Sequence, residues 1–136
     1  MTTQTTPTAW AHLPNAAHID RILAHVKAHP ERWIAARDDA WGTVWNTAWG
    51  TARNAAWNAA WDAARSTALG AAWDAAWGAA RGAARDAARD ALQALIVWDD
   101  CAHFLDMPAD AVKVFVVSGH HPAVLLYTAV LALFKE

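Results

Sequence analysis

The chain has 136 residues and a formal net charge of -2, with 36 alanines and 10 tryptophans against 1 tyrosine and 3 phenylalanines. That length holds one domain, and the near-neutral balance excludes the basic footprint of a double-stranded DNA binder. A single cysteine, Cys101, excludes an internal disulfide and a thiolate zinc cluster, and the Thr-rich start has neither a basic nor an apolar leader segment, which points to a cytosolic protein.

Residues 1–14 contain Pro7 and Pro14 and read as a flexible arm, in which only Trp10 and Leu13 have apolar surface to dock. Residues 15–136 read as one helical domain. Asn15 is suited to cap a first helix, where Ile19, Ile22, Leu23 and Val26 line one face until His29 and Pro30 stop it.

Pro30 and Pro108 are consecutive prolines, and the Ala-rich stretch between them reads as helix because Ala is the best helix former. A four-residue repeat holds its phase from residue 41 to 89, within a repeat region of 38–92. Its key position is filled by Trp41, Trp45, Trp49, Arg53, Trp57, Trp61, Arg65, Leu69, Trp73, Trp77, Arg81, Arg85 and Arg89. Ala usually precedes this position twice, and Asp, Asn, Gly or Ser follows it.

A period of four overshoots the helical turn, so successive key residues rotate by roughly 40° and circle a straight helix in about 36 residues. One unbroken helix over 31–100 would be roughly 105 Å long, against a radius of gyration of about 14 Å for a compact domain of this size. The repeat is therefore expected to fold back, with 66–70 as the candidate turn, where Leu69 takes the key position and Gly70 suits a helix C-terminus. Five glycines inside the repeat cost about 4 to 5 kcal/mol relative to Ala if all are helical. A β-solenoid is the alternative that the Asn, Asp and Gly residues allow, but β-branched residues are scarce in the repeat.

Beyond the repeat, 91–98 has ordinary core residues. Asp106 and Pro108 open a helix over 109–117 that ends at Ser118 and Gly119, and Pro122 opens a last helix through Phe134. The apolar run 123–134 is too short to span a bilayer. The expected architecture is all-α: a long tetrad-repeat helical region packed with an N-terminal helix and a C-terminal helical hairpin.

The Ala-Ala-Trp-Asp and Ala-Ala-Arg-Asp tetrads run into Trp98-Asp99-Asp100-Cys101-Ala102-His103-Phe104-Leu105-Asp106-Met107-Pro108. On these features the chain resembles, over residues 15–134, small bacterial and phage proteins of unknown role built from the same units. Its Ala-rich composition is also similar to that of immunity proteins of toxin systems. Neither resemblance implies an activity, a cofactor or a site residue.

The Trp/Arg ridge has two readings. In the structural one, each indole fills space against the small Ala surface of a neighbouring helix, so Trp57→Ala or Trp61→Ala costs several kcal/mol. In the ligand reading, Trp rings and Arg guanidinium groups form a stacking surface for a nucleotide or single-stranded nucleic acid, with Trp73, Trp77, Arg81, Arg85 and Arg89 as the binding residues. The pairs Trp49/Arg53, Arg53/Trp57, Trp61/Arg65 and Trp77/Arg81 are four apart, a spacing that allows cation–π contact within one helix. Asp62, Asp86 and Asp90 lie near arginines and partly neutralise them.

His18, His25 and His29 share a helix at spacings that suit a divalent metal, yet no Glu accompanies them, and ordinary surface histidines are the favoured reading. Cys101 with His103, His120 and His121 supplies a thiol and imidazoles, but a small buried core residue is favoured over a nucleophile. No catalytic residue, metal or cofactor is expected. The expected function is that of a non-catalytic interaction or scaffold protein, phage-borne if the resemblance extends to origin, that binds a protein partner or its own copy. The nucleotide or nucleic-acid binder is the alternative, and no membrane partner is expected.

Overall fold

The computed structural model describes residues 9–41, 45–60 and 62–134, and leaves the side chains of 46, 47 and 134 undescribed. Among the described residues, seven α-helices and one 3-10 turn account for the fold, with no strand. They are α1 (Ala16–Ala28), α2 (Pro30–Trp41), α3 (Trp45–Ala59), α4 (Ala63–Ala79), α5 (Gly82–Val97), α6 (Ala109–Val117) and α7 (His121–Phe134), with a 3-10 turn at Ala102–Asp106 between α5 and α6. No helix among them is long and apolar enough to cross a membrane. Residues 1–8 of the N-terminal arm lie outside the described residues. Trp10 and Leu13 are buried, and Trp10 Nε1 donates to Asp20 at 3.0 Å.

The repeat does break, but not at 66–70. α4 runs through that segment, and the breaks fall beside 60–62 and 80–82. The local chemistry explains the displacement. Asp62 is the N-cap of α4, its carboxylate accepting from the Arg65 amide at 2.9 Å, and the Ser66 hydroxyl donates back to the Ala60 carbonyl at 2.7 Å, satisfying the end of α3. Ala80 and Arg81 are extended, and Gly82 turns with φ +58°, a conformation that suits Gly. α2 ends at Trp41 and α3 begins at Trp45, and residues 42–44 lie outside the described residues.

The ridge is not the core of the repeat. Most of the fully buried alanines of α2 to α5, namely Ala36, Ala40, Ala52, Ala56, Ala68, Ala72, Ala76 and Ala88, stand just before a key position or its in-phase extension, while Ala87, Ala91 and Ala94 in α5 do not. The tetrad therefore buries its second alanine and leaves the large residue beside the contact. Three tetrads in one helix drift by only roughly 80°, which fits within an apolar stripe about 100° wide, and each break resets the phase. Trp45 and Leu69 are the exceptions among the described key residues: both are buried, and Trp45 Nε1 donates to the Val124 carbonyl. Trp41, Trp57 and Trp77 are exposed, so Trp57 is not the core aromatic expected from the sequence, and Trp61 lies outside the described residues.

The aliphatic core comes from α7, in which residues 123–130 are all buried and which packs against α2, α3, α5 and α6. A helix that is apolar on all sides belongs in the centre of a fold, and this one lies there. Its hairpin partner α6 buries only Val112 and Val116. The second half of α5 is also buried throughout, and α5 packs on α1, α2, α4 and α7.

The C-terminal end of α5 is closed by distant side chains. Asn15, expected to cap α1, makes no such bond; its carboxamide donates to the carbonyls of Leu95 at 2.9 Å and Trp98 at 3.0 Å. Arg65 donates to the Ile96 carbonyl, and the Cys101 thiol donates to those of Ala94 at 3.4 Å and Trp98 at 3.3 Å. Apart from that of Ala94, which also accepts the Trp98 amide, these are carbonyls that a helix end leaves without intrahelical partners, and the contacts from Asn15 and Arg65 tie the N-terminus and α4 to α5.

Candidate functional site

A pocket of about 160 Å³ lies among α2, α3, α4 and α5, lined by Arg37, Trp49, Arg53, Trp73, Asp86, Arg89, Asp90 and Gln93. Every lining residue belongs to the repeat phase. Trp49, Arg53, Trp73 and Arg89 hold key positions, Arg37 and Gln93 stand one tetrad outside its two ends, and Asp86 and Asp90 each follow a key arginine. The slow rotation of the ridge, cut by the helix breaks, turns residues distant in sequence toward one point.

Cation–π contacts organise the walls. The Arg53 guanidinium lies 5.2 Å from the ring centre of Trp49 in the same helix, and that of Arg89 lies 4.7 Å from Trp73 across the α4–α5 contact. Beside the pocket, Arg85 stacks on Trp77 at 3.9 Å. Each such contact contributes about 0.5–2 kcal/mol, depending on how dry it is. Asp86 is the common counter-ion, within 3.6 Å of Arg37 and Arg85 and 3.8 Å of Arg89.

Asp90 is the buried charge of the site, 5% exposed, with its Oδ2 accepting from Trp49 Nε1 at 2.8 Å. Burial pushes its carboxyl up to about 7, against the opposing pull of the Trp49 hydrogen bond and of the Arg37, Arg53 and Arg89 guanidinium groups. Several donors of the lining are buried without a hydrogen-bond partner among the described residues: Arg37 Nε, Arg89 Nε, Trp73 Nε1 and Gln93 Nε2. Leaving such groups unpaired costs about 1–3 kcal/mol each, more where charge is involved.

Of the residues singled out from the sequence, Trp73 and Arg89 line the pocket, Trp77 and Arg85 form the stacked pair beside it, and Arg81 is exposed at the start of α5. The basic row Arg81, Arg85, Arg89 is thus not one open stripe, since two of its members turn onto indoles of α4. The expected Trp49/Arg53 pair forms. Arg65 pairs with Asp62 at 3.3 Å and Asp99 at 3.2 Å, and its expected partner Trp61 lies outside the described residues. Sequence reasoning missed Arg37, Trp49, Arg53, Asp86, Asp90 and Gln93 as site residues; the signal available was the repeat phase carried one unit outward at each end.

The other candidates lie outside this pocket. Cys101 is buried, and burial pushes its thiol up to about 12. A second hollow, about 580 Å³, is lined by Cys101, His103, Phe104, Phe115 and His120, among others. Burial holds the His120 imidazole below its ordinary value, with His121 and His103 adding to the effect. His25 and His29 have ring centres 4.8 Å apart, and Trp33 Nε1 donates to His25 Nδ1 at 2.9 Å. Among the described residues, no three His, Cys, Asp or Glu side chains are grouped to hold a metal ion.

No family model, curated protein or solved structure matches this chain.

Proposed function

We propose that this chain is a non-catalytic ligand-binding protein that captures a small anionic molecule in the Trp/Arg pocket. The observation that carries this reading is the excess of donors: three guanidinium groups face two carboxylates, and four buried N–H donors in the lining lack a partner among the described residues. An anion with several acceptor oxygens completes such a lining, because charge-assisted hydrogen bonds are the strong ones. The volume sets the size. An apolar cavity of about 150 Å³ holds one benzene, so a pocket of this order takes a small anion or the anionic head of a larger molecule. A nucleic-acid strand needs a groove that tracks its backbone, with stacking platforms in series, and the arginines here converge on one pocket.

The test is a titration of tryptophan fluorescence with sulfate, phosphate, acetate and a short oligonucleotide at low salt. Saturable responses to small anions are expected, weakened about tenfold or more by Arg53→Gln or Arg89→Gln with the melting midpoint kept within a few degrees. A response to the oligonucleotide alone would favour the nucleic-acid alternative, and no response to any of them would overturn the reading.

A second reading, self-association through α6, draws on a separate observation. Val114 and Val117 are 67% and 63% exposed on this short helix, and the shallow hollow they line also contains Asp110 and Lys113. Two copies of α6 packed antiparallel would bury these valines and match Asp110 of each copy with Lys113 of the other, as a two-fold interface requires. Sedimentation expects a concentration-dependent dimer that Val114→Asp abolishes; a monomer across the accessible range removes this reading.

A further inference from the structure

Resting on the pocket reading above, we propose that the ligand is a small oxyanion that enters together with one proton, and that Asp90 keeps this proton and offers its O–H to the ligand as a hydrogen-bond donor. The proton comes from solvent. It forms an O–H bond on the Asp90 carboxyl and no bond of the ligand breaks, so the event is reversible binding.

The geometry leads to this assignment. Asp90 lines the same small pocket as the three arginines, so an anion drawn in by the guanidinium groups arrives beside a carboxylate. Two negative charges at that range in a poorly hydrated site repel strongly, whereas a neutral carboxylic acid offers an O–H donor to the same anion. Trp49 Nε1 engages Oδ2, which leaves Oδ1 as the oxygen that carries the proton.

The charged groups around Asp90 are Arg37 from α2, Arg53 from α3, and Asp86 and Arg89 from its own helix; α4 supplies the uncharged Trp73. α1 and α7 also pack on α5 but contribute no side chain to this lining. With the pocket empty, the Asp90 carboxyl titrates at about 7, far above an ordinary Asp, so it holds the proton only part of the time at neutral pH. An incoming anion raises the value further and recovers the proton.

Linkage sets the pattern. Affinity is constant well below Asp90's own titration and falls above it, toward tenfold per pH unit, as binding must supply a proton that solvent offers less readily. Sulfate is the probe, because its own charge is fixed across this range. Its dissociation constant should rise about tenfold between about pH 6 and 8, and calorimetric titrations at about pH 7.5 in two buffers of different ionisation heat should report uptake of most of one proton. Asp90→Asn keeps an oxygen acceptor for Trp49 and should bind sulfate with flat pH dependence and no proton uptake.

Sulfate bound by the unsubstituted chain with no proton uptake and no pH dependence would overturn this inference and leave the pocket reading standing. No sulfate binding at any pH would overturn both. Should the Asn variant fail to fold, the proton count on the unsubstituted chain decides alone.

Discussion

Trp49 Nε1 donates to Asp90 Oδ2 at 2.8 Å, joining α3 to α5 through the one carboxylate buried in the repeat. The indole is half of a cation–π pair with Arg53, and the carboxylate is followed three residues on by the buried Gln93. One contact therefore links the stacked wall of the pocket to its buried polar end. It also lowers the carboxyl's tendency to hold a proton, yet burial outweighs it.

That balance makes stability depend on pH in a stated direction. A carboxyl whose folded-state value, about 7, lies above its unfolded one binds more protons when folded, so its contribution is full below about pH 4 and is lost as pH rises through about 7. Asp90→Asn removes this slope. Relative to the unsubstituted chain, the variant should gain about 2 kcal/mol of unfolding free energy between pH 5 and 8, measured by urea denaturation at each pH. Parallel pH profiles for the two chains would show that Asp90 titrates as an ordinary carboxylate.

The tryptophans should divide sharply in their contribution to stability. Trp45 is fully buried and bonded to α7, so Trp45→Ala is expected to cost about 3–5 kcal/mol. Trp57 is 48% exposed and keeps an edge contact with Trp73 at 5.2 Å, so Trp57→Ala should cost about 1 kcal/mol. Equal losses from the two substitutions would contradict an Ala-centred repeat core.

How far the fold could be read from the chain follows from the same division. Pro30, Pro108, Pro122 and the Ala content mark helix starts and helix composition, and α1, α6 and α7 fall close to where caps and prolines put them. The fold-back was legible as a necessity of length, but its site was not. Gly70 looked like a helix end, whereas Asp62 capping α4 and Gly82 at φ +58° determine the breaks. The role of Asn15 was hidden because its partners lie eighty and more residues away. Two of the eight pocket residues were legible, Trp73 and Arg89 as ridge members, while Asp90 reads from the sequence as a neutralising charge and its burial depends on three other helices closing around it.

The repeat glycines are open to improvement. A Cβ at Gly50, Gly70 or Gly78 meets nothing within 4 Å, and all three are helical, so each Gly→Ala change should stabilise the protein by about 0.5–1 kcal/mol through lost chain entropy in the unfolded state. Gly82 has equal space but a left-handed backbone, and Gly82→Ala should cost about 1 kcal/mol. Thermal unfolding of the four variants checks both signs at once. A gain at Gly82 would contradict the placement of the α4–α5 turn, and losses at the other three would contradict their open helical positions.

Cys101 provides the last check, on the closed end of α5. Its thiol is buried, donates to the Ala94 and Trp98 carbonyls, and is held up at about 12 by burial, with Asp99 and Asp100 also disfavouring the thiolate. Because the thiolate is the reacting form, labelling of the native protein at about pH 8 should run at least about a hundredfold slower than that of a peptide thiol. The rate should rise with urea in step with unfolding, since the thiol is exposed only when the end of α5 opens. Labelling as fast as a peptide in native buffer would show that the carbonyls at this helix end are not capped by the thiol, and would restore Cys101 as a candidate nucleophile.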